Sequence, residues 1–386
     1  MGTPTNLMDC APEDLRAFVE GLGEPPYRAR QLLGWLYARG ARSFAEMTDL
    51  PLALRRRLEA EASIRTLSPA RRQAAADGTE KFLFTLDDGK QIEGVFIPET
   101  DRLTVCISTQ AGCALDCKFC LTGVMGFSRN LRAWEIVGQV LALGAAGGAR
   151  RLSNIVLMGM GEPLANVRHT FRALEILLCP DGLAFPPRRI TVSTVGLAPE
   201  MAALGAAGYG VNLAVSLSAP TDALRDSLMP INRRYALAEL MKACRAYPLK
   251  PRQRITFEYV MLDGVNDTPA LARALVRLVA GLRCKVNLIP LNPAPELPFR
   301  PSPRPRIEAF QRALKAAGVM ATIRESRGQE IFAACGMLSL REGLAPAEDG
   351  DRPPGAGEDP RSPSPTPNAQ PPHRSPAPDT GPPTPR

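Results

Sequence analysis

Six apolar segments of strand length recur between residues 103 and 290, and a stretch with helical spacing follows each of them. Strands that alternate with helices pair in parallel, because each helix carries the chain back across the sheet. The pattern therefore predicts an α/β fold with six βα units, either a partial barrel or a doubly wound sheet. The segments begin at Leu103, Asn154, Arg189, Val211, Ile255 and Lys285.

Polar and glycine-rich residues are concentrated where these predicted strands end. In both candidate architectures, ligands bind at the carboxyl ends of the strands. We therefore expect the functional site at that edge of the sheet. The segments concerned are residues 108–112, 159–163, 193–196, 216–220 and 292–295.

The regions on either side of the βα units have different patterns. Residues 11–66 contain three short amphipathic helical stretches, and residues 81–86 and 91–97 alternate around an Asp-Gly turn, which is typical of a β-hairpin. The last 41 residues contain 14 prolines and almost no large apolar side chain, which predicts disorder. We predict a helical module at 1–76, a linking hairpin at 77–100, a barrel at 101–344 and a disordered tail at 345–386.

Composition narrows the possible function classes. No window holds the roughly 18 uninterrupted apolar residues of a membrane helix, and the first 20 residues contain acidic side chains where a signal peptide is basic. Nine cysteines without a secretory signal argue against a disulfide framework and favour metal or redox chemistry. The net charge of +8 favours a polyanion partner. These features predict a soluble, cytoplasmic protein with no membrane partner.

Cys113, Cys117 and Cys120 lie in the loop after the first predicted barrel strand. Three thiolates at this spacing can hold an iron–sulfur cluster, and the lack of a fourth cysteine nearby leaves one iron open to a ligand. A zinc site completed by a distant residue, or a chance grouping of buried cysteines, are the alternatives.

The CxxxCxxC spacing, with Phe119 before its last cysteine, and the Gly161-Glu162-Pro163 turn resemble the radical S-adenosylmethionine (SAM) enzymes. Residues 6–340 more narrowly resemble the RNA adenine-C2 methyltransferases of the RlmN family. The segments that carry this similarity are Ser108-Thr-Gln-Ala-Gly-Cys-Ala-Leu-Asp-Cys-Lys-Phe-Cys, Met158-Gly-Met-Gly-Glu-Pro-Leu, Leu288-Ile-Pro-Leu-Asn-Pro and Arg327-Gly-Gln-Glu-Ile-Phe-Ala-Ala-Cys-Gly.

The resemblance implies a partial (βα)6 radical SAM barrel, a [4Fe–4S] cluster held by the three cysteines, and two SAM molecules per turnover. In that family, one SAM methylates a cysteine and the second yields a radical that takes hydrogen from this methyl group. The resulting methylene adds to C2 of adenine and links the enzyme briefly to its RNA.

The resemblance also implies roles for three further residues. Cys335 matches the methyl-accepting cysteine, and Cys106 matches the cysteine that resolves the adduct in a transient disulfide. Glu93 matches a proton acceptor, although Cys106 is an alternative for that step.

Seven residues match the SAM-binding positions of the family. Where the family usually reads Ser-Leu-His-Ala, this chain reads Ser216-Leu-Ser-Ala. Residue 218 therefore has no imidazole for a contact with SAM, and the contact expected there is through the backbone. The matching residues are Gly161, Glu162, Ser193, Ser216, Leu217, Ser218 and Asn292.

The resemblance implies 23S rRNA and the tRNA anticodon loop as substrates of a monomeric enzyme. It also implies an electron donor such as flavodoxin or ferredoxin, and a thiol reductant. Two alternatives remain open: the related methyltransferases that act at C8 of adenine and confer antibiotic resistance, and a non-catalytic RNA-binding protein.

Overall fold

The N-terminal segment is a small helical module in the computed structural model, which describes residues 4–148 and 152–340. Its helices are α1 (Pro12–Gly21), α2 (Tyr27–Leu33), which continues as a wider π turn over Gly34–Ala38, and α3 (Leu52–Glu61). Two short strands, β1 (Thr5–Asn6) and β2 (Ala62–Ser63), pair in parallel and join the two ends of the module. The three predicted helical stretches are therefore confirmed.

An antiparallel extension follows the helical module. It consists of β3 (Pro69–Ala74), β4 (Glu80–Thr85) and β5 (Gln91–Pro98), and β5 then pairs with β6 (Leu103–Cys106). The predicted hairpin is β4–β5, and it continues the barrel sheet directly. Strand β3 lies within the range that we assigned to the helical module, but it pairs with β4.

The rest of the described chain alternates strands and helices. In chain order the elements are β7 (Gln110–Gly112), α4 (Leu121–Val124), β8 (Phe127–Asn130), α5 (Ala133–Ala146), β9 (Asn154–Leu157), α6 (Val167–Leu178), β10 (Ile190–Thr194), α7 (Ala198–Ala206), β11 (Asn212–Ser216), α8 (Asp222–Leu228), α9 (Leu237–Ala246), β12 (Ile255–Met261), α10 (Pro269–Val279), β13 (Cys284–Pro290), α11 (Arg304–Ala316) and β14 (Ala321–Ile323).

The main sheet has ten strands in the order β14-β13-β12-β11-β10-β9-β6-β5-β4-β3. All neighbours from β6 to β14 are parallel. Within residues 4–148 and 152–340 the sheet does not close on itself, which confirms the predicted partial barrel with its six βα units. The seventh parallel strand, β14, was not predicted because only three residues form it.

This topology places the ends of the parallel strands along one edge. Apolar residues such as Ile155, Val192, Leu213 and Phe257 are fully buried and fix the strands between the helices and the barrel interior. No helix in the described ranges is long and apolar enough to cross a membrane. The predicted tail from residue 345 onward lies outside the described residues.

Candidate active site

Two cavities meet inside the open barrel. The upper cavity, of 170 Å³, lies at the carboxyl ends of the strands and is lined by Cys113, Cys117 and Cys120. The lower cavity, of 600 Å³, extends toward the strand beginnings and is lined by Cys106. Cys335 lines both cavities. The topology thus brings together five cysteines that span 229 positions of the sequence.

The loop that carries the cysteine triad is folded tightly onto itself. Backbone hydrogen bonds join Cys113 N to Gly126 O at 2.9 Å and Cys120 N to Cys117 O at 3.1 Å. Lys118 N donates to Leu228 O at 2.9 Å, which ties the loop to α8. All three thiols are half-buried. The loop therefore presents its sulfur atoms to the cavity from a fixed backbone.

Glu162 lies at the turn after β9 and lines the upper cavity. Its carboxylate accepts hydrogen bonds from Leu164 N at 3.0 Å and from Val195 N at 2.9 Å. Burial raises the pKa of Glu162 to about 7. The preceding Gly161 has φ +94°, and a Cβ there would lie 2.4 Å from Gln110 Cβ, so only glycine fits this approach.

The predicted SAM-binding serines follow the next strands. Ser193 on β10 and Ser216 on β11 line the upper cavity, as does the buried Ser218, which adopts a left-handed conformation with φ +51°. Leu217 is fully buried and lines neither cavity, and its backbone N–H donates to Glu258 O at 2.9 Å. Apart from Leu217, the predicted SAM-binding residues, including Asn292, line one cavity.

Sequence reasoning missed Arg225, which is fully buried on α8. Its guanidinium donates to Val195 O at 2.6 Å and to Ser216 O and Leu217 O, each at 3.3 Å. It therefore joins the ends of β10 and β11 behind the serines. A single arginine in a polar helix gave no sequence signal for this role.

Cys335 lies in an irregular segment after β14. Its carbonyl accepts a hydrogen bond from Asn292 Nδ2 at 2.9 Å, and Asn292 Oδ1 accepts one from Gln329 Nε2 at 2.6 Å. Cys106 is buried at the end of β6. All nine cysteines are free thiols, so the structure gives no support to the expected disulfide.

Glu258 and Arg324 line both cavities, and sequence reasoning missed them as well. Glu258 Oε1 accepts a hydrogen bond from Asn287 Nδ2 at 3.0 Å, whereas its buried Oε2 has no partner among the described residues. A lone acidic residue within an apolar strand was the available sequence signal for Glu258. Together they supply a carboxylate and a guanidinium to the cavities that Cys106 and Cys335 line.

Glu93 is placed differently from the other predicted residues. It lies on β5, is 1 % exposed, and forms an ion pair with Lys81 Nζ at 2.9 Å. It lines neither of the two cavities, but a third one with Arg71, Lys81 and Leu340. The structure therefore does not bring Glu93 together with Cys335 and Cys106 in one cavity.

Comparison with known proteins agrees with this geometry. Residues 5–64 match the family model described as ribosomal RNA large subunit methyltransferase N-terminal domain, and residues 107–274 match the radical SAM superfamily. The dual-specificity RNA methyltransferase RlmN of Anaeromyxobacter dehalogenans is 52% identical over 345 residues, which cover 88% of this chain and 92% of that protein. The chain belongs to the RlmN family.

Two further comparisons support this assignment. The RlmN protein of Geobacter sulfurreducens is 53% identical over 338 residues, which cover 88% of this chain and 93% of that protein. A crystal structure of a radical SAM methyltransferase from Sphaerobacter thermophilus superposes with a TM-score of 0.81 at 48% identity, covering 87% of this chain and 99% of that one. The chain is thus a radical SAM RNA methyltransferase, whose cofactors are a [4Fe–4S] cluster and SAM.

The three cysteines of the upper cavity supply the thiolate ligands that such a cluster uses, and they line one cavity together. In residues 4–148 and 152–340, no three Cys, His, Asp or Glu side chains converge closely enough to hold a single metal ion. Burial raises the pKa of Cys113 to about 11, so this thiol would have to lose a proton to bind iron.

Proposed function

We propose that this enzyme methylates C2 of an adenosine in 23S rRNA and in the tRNA anticodon loop, with Cys335 as the methyl carrier. The observation that supports this most directly is the position of Cys335 between the two cavities, one lined by the cysteine triad and the other by Cys106. The RlmN relatives are named dual-specificity RNA methyltransferases. A carrier at this junction can take up the methyl group on one side and deliver it on the other.

The substrate explains why a radical route is required. C2 of adenine lies between two ring nitrogens and lacks the nucleophilicity that ordinary methyl transfer from SAM exploits. When bound, the cluster and SAM supply the methyl group and the hydrogen-abstracting radical. The protein binds them, exposes Cys335 to them and holds the target base, which must leave its stack.

Specific residues of the upper cavity suit these cofactors. We assign Cys113, Cys117 and Cys120 to the cluster. We assign Glu162 to the SAM ammonium, because each oxygen of this carboxylate accepts one backbone N–H and has a further lone pair. The remaining proposed SAM contacts are Gly161, Ser193, Ser216, Ser218 and Asn292. Leu217, which was also expected to bind SAM, lines neither cavity and supports Ser216 and Ser218 from behind.

Cys335 and Cys106 act on opposite sides of carbon–carbon bond formation. The methylene radical on Cys335 adds to C2 and creates a protein–RNA cross-link. This adduct must then lose the C2 proton and one electron, and the cluster, oxidised when the radical is formed, would be the electron acceptor. Cys106 then attacks the Cys335 sulfur, the sulfur–methylene bond breaks, and the freed electron pair takes up a proton to complete the methyl group. A thiol reductant returns both cysteines to thiols.

The loss of the C2 proton requires an acceptor, and Glu93 and Cys106 are the candidates. Cys106 lines a cavity together with Cys335, whereas Glu93 is paired with Lys81 outside that cavity. The assignment of the proton to Glu93 therefore stays a prediction.

The proposal also includes the partners of the enzyme and its cellular location. A low-potential electron donor such as flavodoxin or ferredoxin reduces the cluster, and the enzyme acts as a monomer in the cytoplasm. Radical formation from SAM requires an electron donor, and the free thiols fit a reducing compartment.

Mass spectrometry of nucleosides tests the proposal. Anaerobically reconstituted enzyme is incubated with SAM, reductant and either 23S rRNA or tRNA, and the RNA is digested to nucleosides. We expect 2-methyladenosine from both RNAs. A product that is only 8-methyladenosine would assign the chain to C8 chemistry, and the lack of any methylated adenosine would favour a non-catalytic RNA-binding protein.

A further inference from the structure

The segment that follows Cys335 is held against the rest of the protein at three places. Leu121 N donates to Gly336 O at 2.8 Å, and Thr122 Oγ1 donates to Leu338 O at 2.6 Å. Both donors directly follow Cys120 in the cluster loop. The third place is Glu93 Oε2, which accepts hydrogen bonds from Ser339 N at 2.9 Å and Leu340 N at 3.2 Å.

The second carboxylate oxygen of Glu93 binds Lys81. Oε1 lies 2.9 Å from Lys81 Nζ, and the two residues are 1 % and 3 % exposed. A buried ion pair costs desolvation energy that Coulomb attraction repays only when further hydrogen bonds satisfy the charges. Here the backbone N–H groups of Ser339 and Leu340 provide such bonds to the carboxylate.

We propose that Glu93 is a positioning residue, which fixes the Cys335 thiol by clamping residues 339 and 340 to β5. The proposal rests on the role of Cys335 as methyl carrier. Asn292 holds the carbonyl of Cys335 itself, and Glu93 holds the chain four and five residues later. With both ends held, the segment between them places the thiol at the junction of the two cavities.

Lys81 completes this arrangement by holding the other oxygen of the same carboxylate. Its ammonium pairs with Oε1, which leaves Oε2 to accept the backbone N–H groups of Ser339 and Leu340. Strand β4 carries Lys81 and strand β5 carries Glu93. The antiparallel extension of the barrel therefore anchors the segment that bears the methyl carrier.

The positioning role and the proton-acceptor role of Glu93 predict different results when the charge of residue 93 is removed. A proton acceptor must ionise, so no neutral replacement can restore it. A clamp needs only an acceptor oxygen held in place. Glu93→Gln keeps an acceptor oxygen but removes the charge that faces Lys81, whereas Glu93→Gln combined with Lys81→Met removes both charges and keeps the oxygen.

Hydrogen–deuterium exchange of the reconstituted holoenzyme, without RNA, tests the clamp. We expect Glu93→Ala to speed exchange of the Ser339 and Leu340 amides at least about tenfold, the loss expected for hydrogen bonds to a charged acceptor. The double variant should return exchange to within about threefold of wild type and restore most of the methylation. Glu135→Gln is the control, because Glu135 is also buried and paired with an arginine, and it should not alter these amides.

Each outcome of these measurements supports or refutes the positioning role of Glu93. Wild-type exchange in folded Glu93→Ala overturns the clamp. Restored protection with no methylation in the double variant overturns the positioning role and supports proton transfer. If Glu93→Ala does not fold, the double variant and Glu93→Gln give the same decision. Because exchange is measured without substrate, a wild-type enzyme that makes no 2-methyladenosine would refute the proposed function without affecting this test.

Discussion

Cys106 and Cys335 are supported in different ways. Cys106 ends β6, where ladder pairing with Val95 on β5 and Val156 on β9 fixes its backbone from both sides. Cys335 lies in an irregular segment with left-handed residues at Gly328, Phe332 and Gly336. A sheet therefore fixes the proposed resolving thiol, whereas side chains from distant elements fix the proposed methyl carrier.

This difference fits the demands on the two thiols. A resolving thiol acts on one partner and needs only a constant position. A methyl carrier must face the cofactors and the substrate, and an irregular segment at a cavity junction exposes it to both. The contrast predicts that the position of the Cys335 thiol depends on remote side chains, whereas the position of the Cys106 thiol does not.

The largest effect should come from removing the thiols themselves. Cys335→Ala cannot accept the methyl group, so neither product nor cross-link should form. Cys106→Ala should stall after addition to C2 and accumulate a protein–RNA adduct, visible as a slow band on a denaturing gel and removed by nuclease. The double variant should behave like Cys335→Ala, because a blocked early step masks a later one.

Cys244→Ala is the matched control for these variants. Cys244 is buried on α9 and lines neither of the two cavities, so product should form as in wild type. An adduct trapped by Cys335→Ala, or normal product release by Cys106→Ala, would reverse the assigned roles.

The rate of alkylation by iodoacetamide should distinguish Cys106 from Cys335. Burial disfavours the thiolate and raises the pKa of Cys106 to about 12, so at pH 8 only about one molecule in ten thousand carries the reactive form. Its alkylation rate should climb about tenfold per pH unit up to pH 11, without a plateau.

Peptide mapping of protein reconstituted without SAM measures both sites. Cys335 is half-buried and faces both cavities, so it should react about a hundredfold faster than Cys106 at pH 8. A plateau for Cys106 near pH 9 would show that a neighbouring charge, with Arg324 as the candidate, outweighs burial.

Removing the amide that holds Cys335 should have an intermediate effect. Asn292→Ala deletes the hydrogen bond to the Cys335 carbonyl and leaves Gln329 Nε2 without its acceptor. Loss of about 1–2 kcal/mol of positioning energy corresponds to roughly a tenfold slower methylation. Asn212→Ala, which removes a bond to Arg188 O at the start of β11, is the control and should leave the rate unchanged.

The smallest expected effect is the difference between alanine substitutions at two glycines that have nearly the same backbone conformation. Gly336 and Gly89 have φ +79° and +76°, so an alanine at either should lower the free energy of unfolding by about 1 kcal/mol. Only Gly336→Ala, next to Cys335, should also slow methylation, since Gly89 lies in the β4–β5 turn. Thermal melts and rates measure both effects, and equal rates for the two variants would contradict the dependence of Cys335 on its segment.

Sequence patterns predicted much of this architecture. The alternation of apolar strands and helices gave the six βα units, and the Asp-Gly turn gave the hairpin. The cysteine triad was recognisable because its spacing lies within eight residues of one loop. Such features depend on neighbours along the chain, which a sequence displays directly.

Other features depend on contacts between distant residues. Glu93 reads in the sequence as a strand carboxylate, and only folding places it against Lys81, Ser339 and Leu340. Arg225 gave no signal either, because three of its four acceptors are backbone carbonyl groups at the ends of two strands, the fourth being Asn232 Oδ1. Every residue type has the same backbone carbonyl group, so a sequence does not show which carbonyl groups accept a hydrogen bond.

The sequence by itself determined the order of strands and helices, the cluster loop and the edge of the sheet where the site lies. Only the tertiary structure decided that Cys335 stands between two cavities, that the side chain of Leu217 lines neither of them, and that Glu93 is enclosed in an ion pair. The physical reason is that periodicity and spacing act over a few residues. The position of a thiol in a cavity depends instead on packing among elements that are hundreds of residues apart.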